Sequence, residues 1–176
     1  MYIKLFVSAC LLLASATATA GIPPADSVDD RTWVDNVFDS VLRNYQHVRH
    51  CLEFTADELE LPLELMMAVL IAENGIIAPI NPNNDGTNDY GYFQINDKRI
   101  EELAALNITK DDLINNGCRN TFAAGFLLKR HIMRSGDFWE GVGNYHYGIW
   151  GRYPSRHFTY RNRVYTMWQR ILEAAG

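Results

Sequence analysis

Residues 72–96 read AENGIIAPINPNNDGTNDYGYFQIN. One glutamate, Glu73, closes the apolar run Leu65-Met66-Met67-Ala68-Val69-Leu70-Ile71-Ala72; a loop of Asn, Asp and Gly follows, then aromatics and amides. Met66, Val69 and Leu70 stand seven, four and three residues before Glu73, so a helix puts them on the carboxylate's own face. That face belongs in a core. A carboxyl held at its inner lip loses hydration, which disfavours the charged form and raises the pKa. A glutamate tuned near neutrality donates a proton to a leaving group and later takes one back. Spacing alone leaves a second reading open, a helix-terminal glutamate that reaches water beside Gly75.

Outward from this stretch the pattern is helical. Pro62 suits the first turn of the helix that carries Glu73, which runs to about Asn74 and is ended by Gly75. Upstream, Trp33, Val37, Phe38, Val41, Leu42, Tyr45 and Val48 recur at three and four residue steps, predicting one amphipathic helix over 31–49 and a short one over 55–59. Residues 76–96 lose that period. Asn81-Pro82, Asp85-Gly86 and Asn88-Asp89 mark turns, and 90–95 has modest strand character. Helices resume over 97–105, again at Thr109-Lys110-Asp111-Asp112, and over 118–134 with Asn116 as cap. Asp137 caps a helix through Val142. Ser155 caps the last, expected to bury Phe158, Val164, Tyr165, Trp168, Ile171 and Leu172. The expected fold is mainly α (α+β): one helical domain over 31–176 with a small β-like loop or hairpin near 78–96, without repeats or low-complexity tracts.

The N-terminal residues read differently. Lys4 precedes an apolar stretch over 5–14, and Ala16-Thr17-Ala18-Thr19-Ala20 precedes Gly21. That order describes a secretory signal peptide over 1–20, too short in its apolar part for a membrane span of ~20 residues. Residues 21–30, with Pro23-Pro24, form a flexible lead-in, and no later segment is apolar enough to span a membrane. Export removes Cys10 and leaves Cys51 and Cys118 as an even pair. In an oxidising compartment they read as one disulfide, with two free buried thiols as the alternative. No Cys or His pair has zinc-ligand spacing. The formal charge of −5 argues against a general nucleic-acid binder. Residues 129–170 nevertheless hold eight Lys or Arg against only Asp137 and Glu140, a basic face able to meet an anionic polymer.

Asn81, Asn83, Asp85 and Gly86 match the first half of a calcium loop, but the twelfth position is Tyr92, where a bidentate glutamate should stand. An ordinary turn cluster explains them. In Gly91-Tyr92-Phe93-Gln94-Ile95-Asn96, alternating geometry would put the amides of Gln94 and Asn96 on one side. Aromatics beside amides suit a sugar, whose faces are apolar and whose edges are hydroxyls. Asn144-Tyr145-His146-Tyr147-Gly148 supplies more such groups at a helix end.

Three blocks together carry a resemblance: Ala72-Glu73-Asn74-Gly75, Asp89-Tyr90-Gly91-Tyr92-Phe93-Gln94-Ile95-Asn96, and Gly143-Asn144-Tyr145-His146-Tyr147-Gly148. In order and spacing the chain resembles, over 51–165, the lytic transglycosylases of the soluble type with a goose-type lysozyme fold. The small periplasmic kind that accompanies secretion, conjugation and pilus machines is the best match. Cys51 and Cys118 are similar to that subgroup's disulfide pair. Two positions depart: Asn74 stands where the family usually has Ser, and Tyr145-His146-Tyr147-Gly148 where it favours Tyr-Asn-Ala-Gly.

The resemblance implies a periplasmic lyase that cuts the β-1,4 bond between N-acetylmuramic acid and N-acetylglucosamine in peptidoglycan. Glu73 would be its single catalytic residue and a 1,6-anhydro sugar its product. Asn74, Tyr92, Gln94, Asn96 and Tyr145 would bind the substrate, without metal or cofactor. Peptidoglycan strands and components of a secretion, conjugation or pilus machine are the implied partners; nucleic acid is not. One rival is a hydrolytic muramidase, for which Asp85 and Asp89 are the loop's candidate second carboxylates. The other is a cell-wall-binding scaffold without turnover.

Overall fold

The computed structural model describes residues 32–77 and 80–176. The expected signal peptide and lead-in, over 1–30, lie outside the described residues.

The apolar run forms helix α3 (Leu63–Glu73), and Leu65 through Leu70 are all buried, as is Ala72. A helix apolar on every side must be wrapped by others. Helices α2 (Arg49–Glu58) and α8 (Pro154–Ala175) pack against it, and the long helix α6 (Gly117–Ser135) packs on α2. Helix α7 (Phe138–His146) lies between α6 and α8, with α1 (Thr32–Ser40) against α8. Pro62 caps α3, its carbonyl accepting from the amides of Leu65 and Met66 at 3.0 and 3.3 Å. Short helices α4 (Ile100–Leu103) and α5 (Lys110–Asn115) complete the set, the latter opened by a reciprocal Thr109–Asp112 capping box.

The insertion is a three-stranded antiparallel sheet: β1 (Ile80–Pro82), β2 (Asn88–Tyr90) and β3 (Ile95–Asn96), in that order. Ile80 pairs with Tyr90, and Tyr90 in turn with Ile95. Asp85 shapes the β1–β2 turn, accepting from the Thr87 amide and hydroxyl and pairing with Lys98 at 2.7 Å. The mainly helical fold with one small β insertion is thus as expected.

Four local expectations need correction. The single helix over 31–49 is broken: α1 stops at Ser40, a 3₁₀ segment covers Arg43–Val48, and α2 starts at Arg49. Leu42 drops fully into the core, its amide reaching back to the Val37 carbonyl, and Tyr45 leaves helical geometry at φ −115°. Burying Leu42 and Val48 outweighs helical continuity. The modest strand character read over 90–95 is confined to its two ends, with a turn between them and positive φ at Gly91 and Gln94. Helix α7 runs on to His146 rather than stopping at Val142. Finally, α8 starts two residues earlier than a Ser155 cap implies, with Tyr153 at the cap position and Pro154 in its first turn, and it buries His157, Tyr160, Val164 and Ile171. Phe158, Tyr165 and Leu172 stay 40–49% exposed, because the buried stripe is rotated from the apolar residues read in the sequence.

Candidate active site

The site is made where the end of α3 locks into the β2–β3 turn. Asn74, not Gly75, takes the left-handed conformation that ends α3, at φ 51°. The next amide, of Gly75, donates to the Tyr92 carbonyl at 3.2 Å. A β-carbon on Gly75 would stand 2.3 Å from the Gly91 carbonyl oxygen and 2.6 Å from that of Tyr92, so only glycine permits this approach. The partner turn is held from behind by Asn120, fully buried on α6. Its Nδ2 donates to the carbonyls of Tyr90 and Leu113 at 2.9 and 3.1 Å, and its Oδ1 accepts from the Phe93 amide at 3.0 Å. Gly91, at φ +69°, leaves room for that amide. Sequence reading missed Asn120. A lone Asn on the buried face of an amphipathic helix was the available signal.

Glu73 thereby sits half-buried at the end of α3, between the turn and α8, with the pKa of its carboxyl pushed up to about 7. Burial is the main cause; the negative charge of Asp89 adds to it, while Tyr160 and Arg163 pull the other way. The Tyr160 hydroxyl is buried close to Glu73 but makes no hydrogen bond of good geometry, so it stands ready for a carboxylate without being committed to one. Tyr160 was the second residue missed. It lies four residues before Val164, on the stripe of α8 that faces the core. The His146 ring stacks flat on Tyr160, 4.6 Å between centroids and 9° between planes, and burial holds its pKa below the ordinary histidine value. Tyr145 stacks on Tyr160 at 6.3 Å and donates to the Phe93 carbonyl at 3.1 Å. Burial and the nearby Glu73 hold both phenols protonated, well above the usual tyrosine range. Arg163 donates to the Ala72 carbonyl at 3.2 Å, beside Glu73.

The remaining residues singled out by sequence are placed as follows. Gln94 donates to the Gly91 carbonyl at 2.8 Å and accepts from Asn81 at 2.9 Å, which stabilises its own positive φ. Asn96 donates to Thr87 and Asp89 and caps the following 3₁₀ turn. Gln94 belongs to the turn before β3, at positive φ, so strand alternation does not relate its amide to that of Asn96. Both are engaged in building the sheet, and Asn96 holds Asp89. Asn74 is exposed at the helix end. The Tyr92 side chain points elsewhere. Its hydroxyl meets His47 at 2.6 Å and its ring lines a separate cavity of about 290 Å³ beside Cys51 and Cys118. A disulfide joins those two cysteines, tying α2 to the start of α6 across 67 residues of chain. Among the described residues, the one group of His, Cys and acidic side chains spaced for a metal is His50, Cys51 and Cys118, and the disulfide occupies both sulfurs.

This geometry can be set beside known proteins. No family model matches the chain. It is, however, 30% identical over 122 residues to protein IpgF of Shigella flexneri, covering 69% of this chain and 80% of the relative. The chain belongs to the IpgF family. A peptidoglycan-binding-like protein of Escherichia coli O157:H7 is 30% identical over 117 residues, 62% of this chain and 70% of that protein. The invasion protein IagB of Salmonella typhi is 24% identical over 114 residues, 64% and 71% of the two chains. No helix among the described residues is long and apolar enough to cross a membrane.

Proposed function

We propose that this IpgF-family protein is a periplasmic peptidoglycan lytic transglycosylase that opens the cell wall locally for a secretion, conjugation or pilus apparatus. The observation that carries this reading is Glu73, a half-buried carboxyl whose pKa of about 7 lets it act first as acid and then as base. Protonated Glu73 gives its proton to the glycosidic oxygen, and the bond to C1 of the muramoyl sugar breaks. The resulting carboxylate accepts the proton of that sugar's 6-hydroxyl as O6 bonds to C1, closing the 1,6-anhydro ring. No water is consumed, because an intramolecular hydroxyl acts at high effective concentration. The Tyr160 hydroxyl supplies a hydrogen bond when Glu73 is charged and releases it when Glu73 is protonated. Tyr145 contacts the sugar, while Gln94 and Asn96 hold the wall on which it rests. The names of two relatives, a peptidoglycan-binding-like protein and an invasion protein, support the substrate and the setting.

A hydrolytic muramidase is the second reading, favoured by Asp89, whose charge acts on Glu73. Asp85 is a weaker candidate, being exposed and paired with Lys98. Mass spectrometry of muropeptides released from purified sacculi separates the two. Anhydro-muramic ends, absent with Glu73→Gln, support the transglycosylase. Reducing ends replace it with the water-using enzyme, and no release from sacculi by wild type leaves neither standing.

A further inference from the structure

A second cavity, of about 280 Å³, is lined by His146, Ser155, Arg156, Thr159, Tyr160 and Arg163. It adjoins Glu73, since two of its lining residues, Tyr160 and Arg163, also act on that carboxyl. Helix α8 builds most of it: Ser155, Thr159 and Arg163 follow at four-residue steps, with Arg156 beside them, so one helical face carries two hydroxyls and two guanidinium groups. His146, stacked on Tyr160, forms the opposite side. Neither guanidinium has an ion-pair partner among the described residues. Arg156 lies over the rings of Tyr147 and Tyr153, at 5.8 and 5.1 Å, which holds it without neutralising it. Arg163 spends one nitrogen on the Ala72 carbonyl.

We infer that this cavity is a carboxylate subsite for the lactyl arm of the muramoyl sugar whose bond Glu73 breaks, an inference that rests on the function proposed above. Planar guanidinium forks match a carboxylate with two parallel hydrogen bonds, and hydroxyls complete its shell. A cation is refused by the same two charges. The volume is at the small end of ligand cavities, suited to a few heavy atoms rather than to a whole sugar. In peptidoglycan the only anionic branch near the scissile bond is the lactyl arm on the muramoyl ring. It ends in its own carboxylate in stripped strands and leads to the first free carboxylate of the peptide in intact ones. The adjoining N-acetylglucosamine has no such arm. The subsite therefore fixes which sugar lies on the Glu73 side, and so whose 6-hydroxyl attacks.

The test is binding by cosedimentation, read independently of cleavage in the Glu73→Gln background. Arg156→Gln, at an exposed position away from Glu73, should weaken binding to sacculi by roughly tenfold, the loss of one charge-assisted pair at a partly wet site. Binding to chitin, which lacks lactyl arms, should not change. Arg156→Lys should restore part of the loss, and Arg170→Gln, farther along α8 and outside the cavity, should cause none. Glycan strands freed of peptide by an amidase, titrated in solution, identify the source. A loss that appears or grows on these strands names the lactyl carboxylate, and one confined to intact sacculi names the peptide's. Unchanged affinity for both intact sacculi and stripped strands overturns the subsite, as does an equal loss on chitin or with Arg170→Gln. A wild-type protein that releases no anhydro-muropeptides would count against the proposed activity, and the binding difference would still report on the cavity.

Discussion

Replacing Glu73 by Gln should make the protein more stable at pH 8 and no more stable at pH 4. In the folded chain burial raises the Glu73 carboxyl from 4.5 to about 7. Below pH 4.5 the group is protonated in folded and unfolded chains alike and contributes no difference. As pH rises from there to about 7, the unfolded chain gives up this proton while the folded chain keeps it, so stability falls with pH. Above about 7 the full penalty remains, because a half-buried carboxylate is then poorly solvated. At about 1.4 kcal/mol per pH unit, the gap between the two values amounts to about 3 kcal/mol. Gln has nearly the same shape and carries no charge, so it avoids that penalty. For a domain of this size the gain corresponds to a Tm higher by roughly 6–12 °C at pH 8. Thermal and urea unfolding of both proteins at pH 4, 6 and 8 measure it. The reasoning fails if Glu73→Gln gains nothing at pH 8, or if its advantage does not shrink as pH is lowered.

The same electrostatics predict opposite shifts of the alkaline limb of activity, which follows loss of the Glu73 proton. Asp89→Asn removes a charge that raises the Glu73 pKa, so the limb should move to lower pH; Tyr160→Phe removes a group that lowers it, so the limb should move to higher pH. Both variants and Asp85→Asn should keep substantial anhydro-forming activity in pH-rate profiles of muropeptide release; a dead Asp89→Asn enzyme together with mainly reducing ends in wild-type digests would point to hydrolysis instead. Asn120→Ala should cost about 3–5 kcal/mol in urea unfolding, since it strands two buried carbonyls and an amide, and it should lower kcat through the displaced Gly91–Gln94 turn. Opening the Cys51–Cys118 bridge should lower stability by at most about 4 kcal/mol, the chain-entropy value for its long loop. Alkylation of both cysteines in unreduced periplasmic protein would rule the bridge out there.

Legibility of this protein from sequence followed the range of the physics involved. Helix α3 could be read because its signal is local: a long apolar run with Pro at its head and a break after Glu73. The caps Asn116, Thr109 and Asp137 were equally legible, since each acts on amides two or three residues away. The turn-rich insertion and the pairing of Cys51 with Cys118 also followed from composition and count. What failed was decided at long range. The break after Ser40 exists because Leu42 finds a core place that a continuous helix would deny it. The buried stripe of α8 depends on which side faces α3, and its many aromatics offered several stripes of similar hydrophobicity. Asn120, Tyr160 and the α8 cavity lie far in sequence from Glu73, and no local period connects them to it. Sequence alone thus determined the helical class and singled out Glu73 as the candidate acid. The tertiary structure decided how dry that acid is, because desolvation depends on every neighbour that excludes water, and those neighbours come from α6, α7, α8 and the sheet at once.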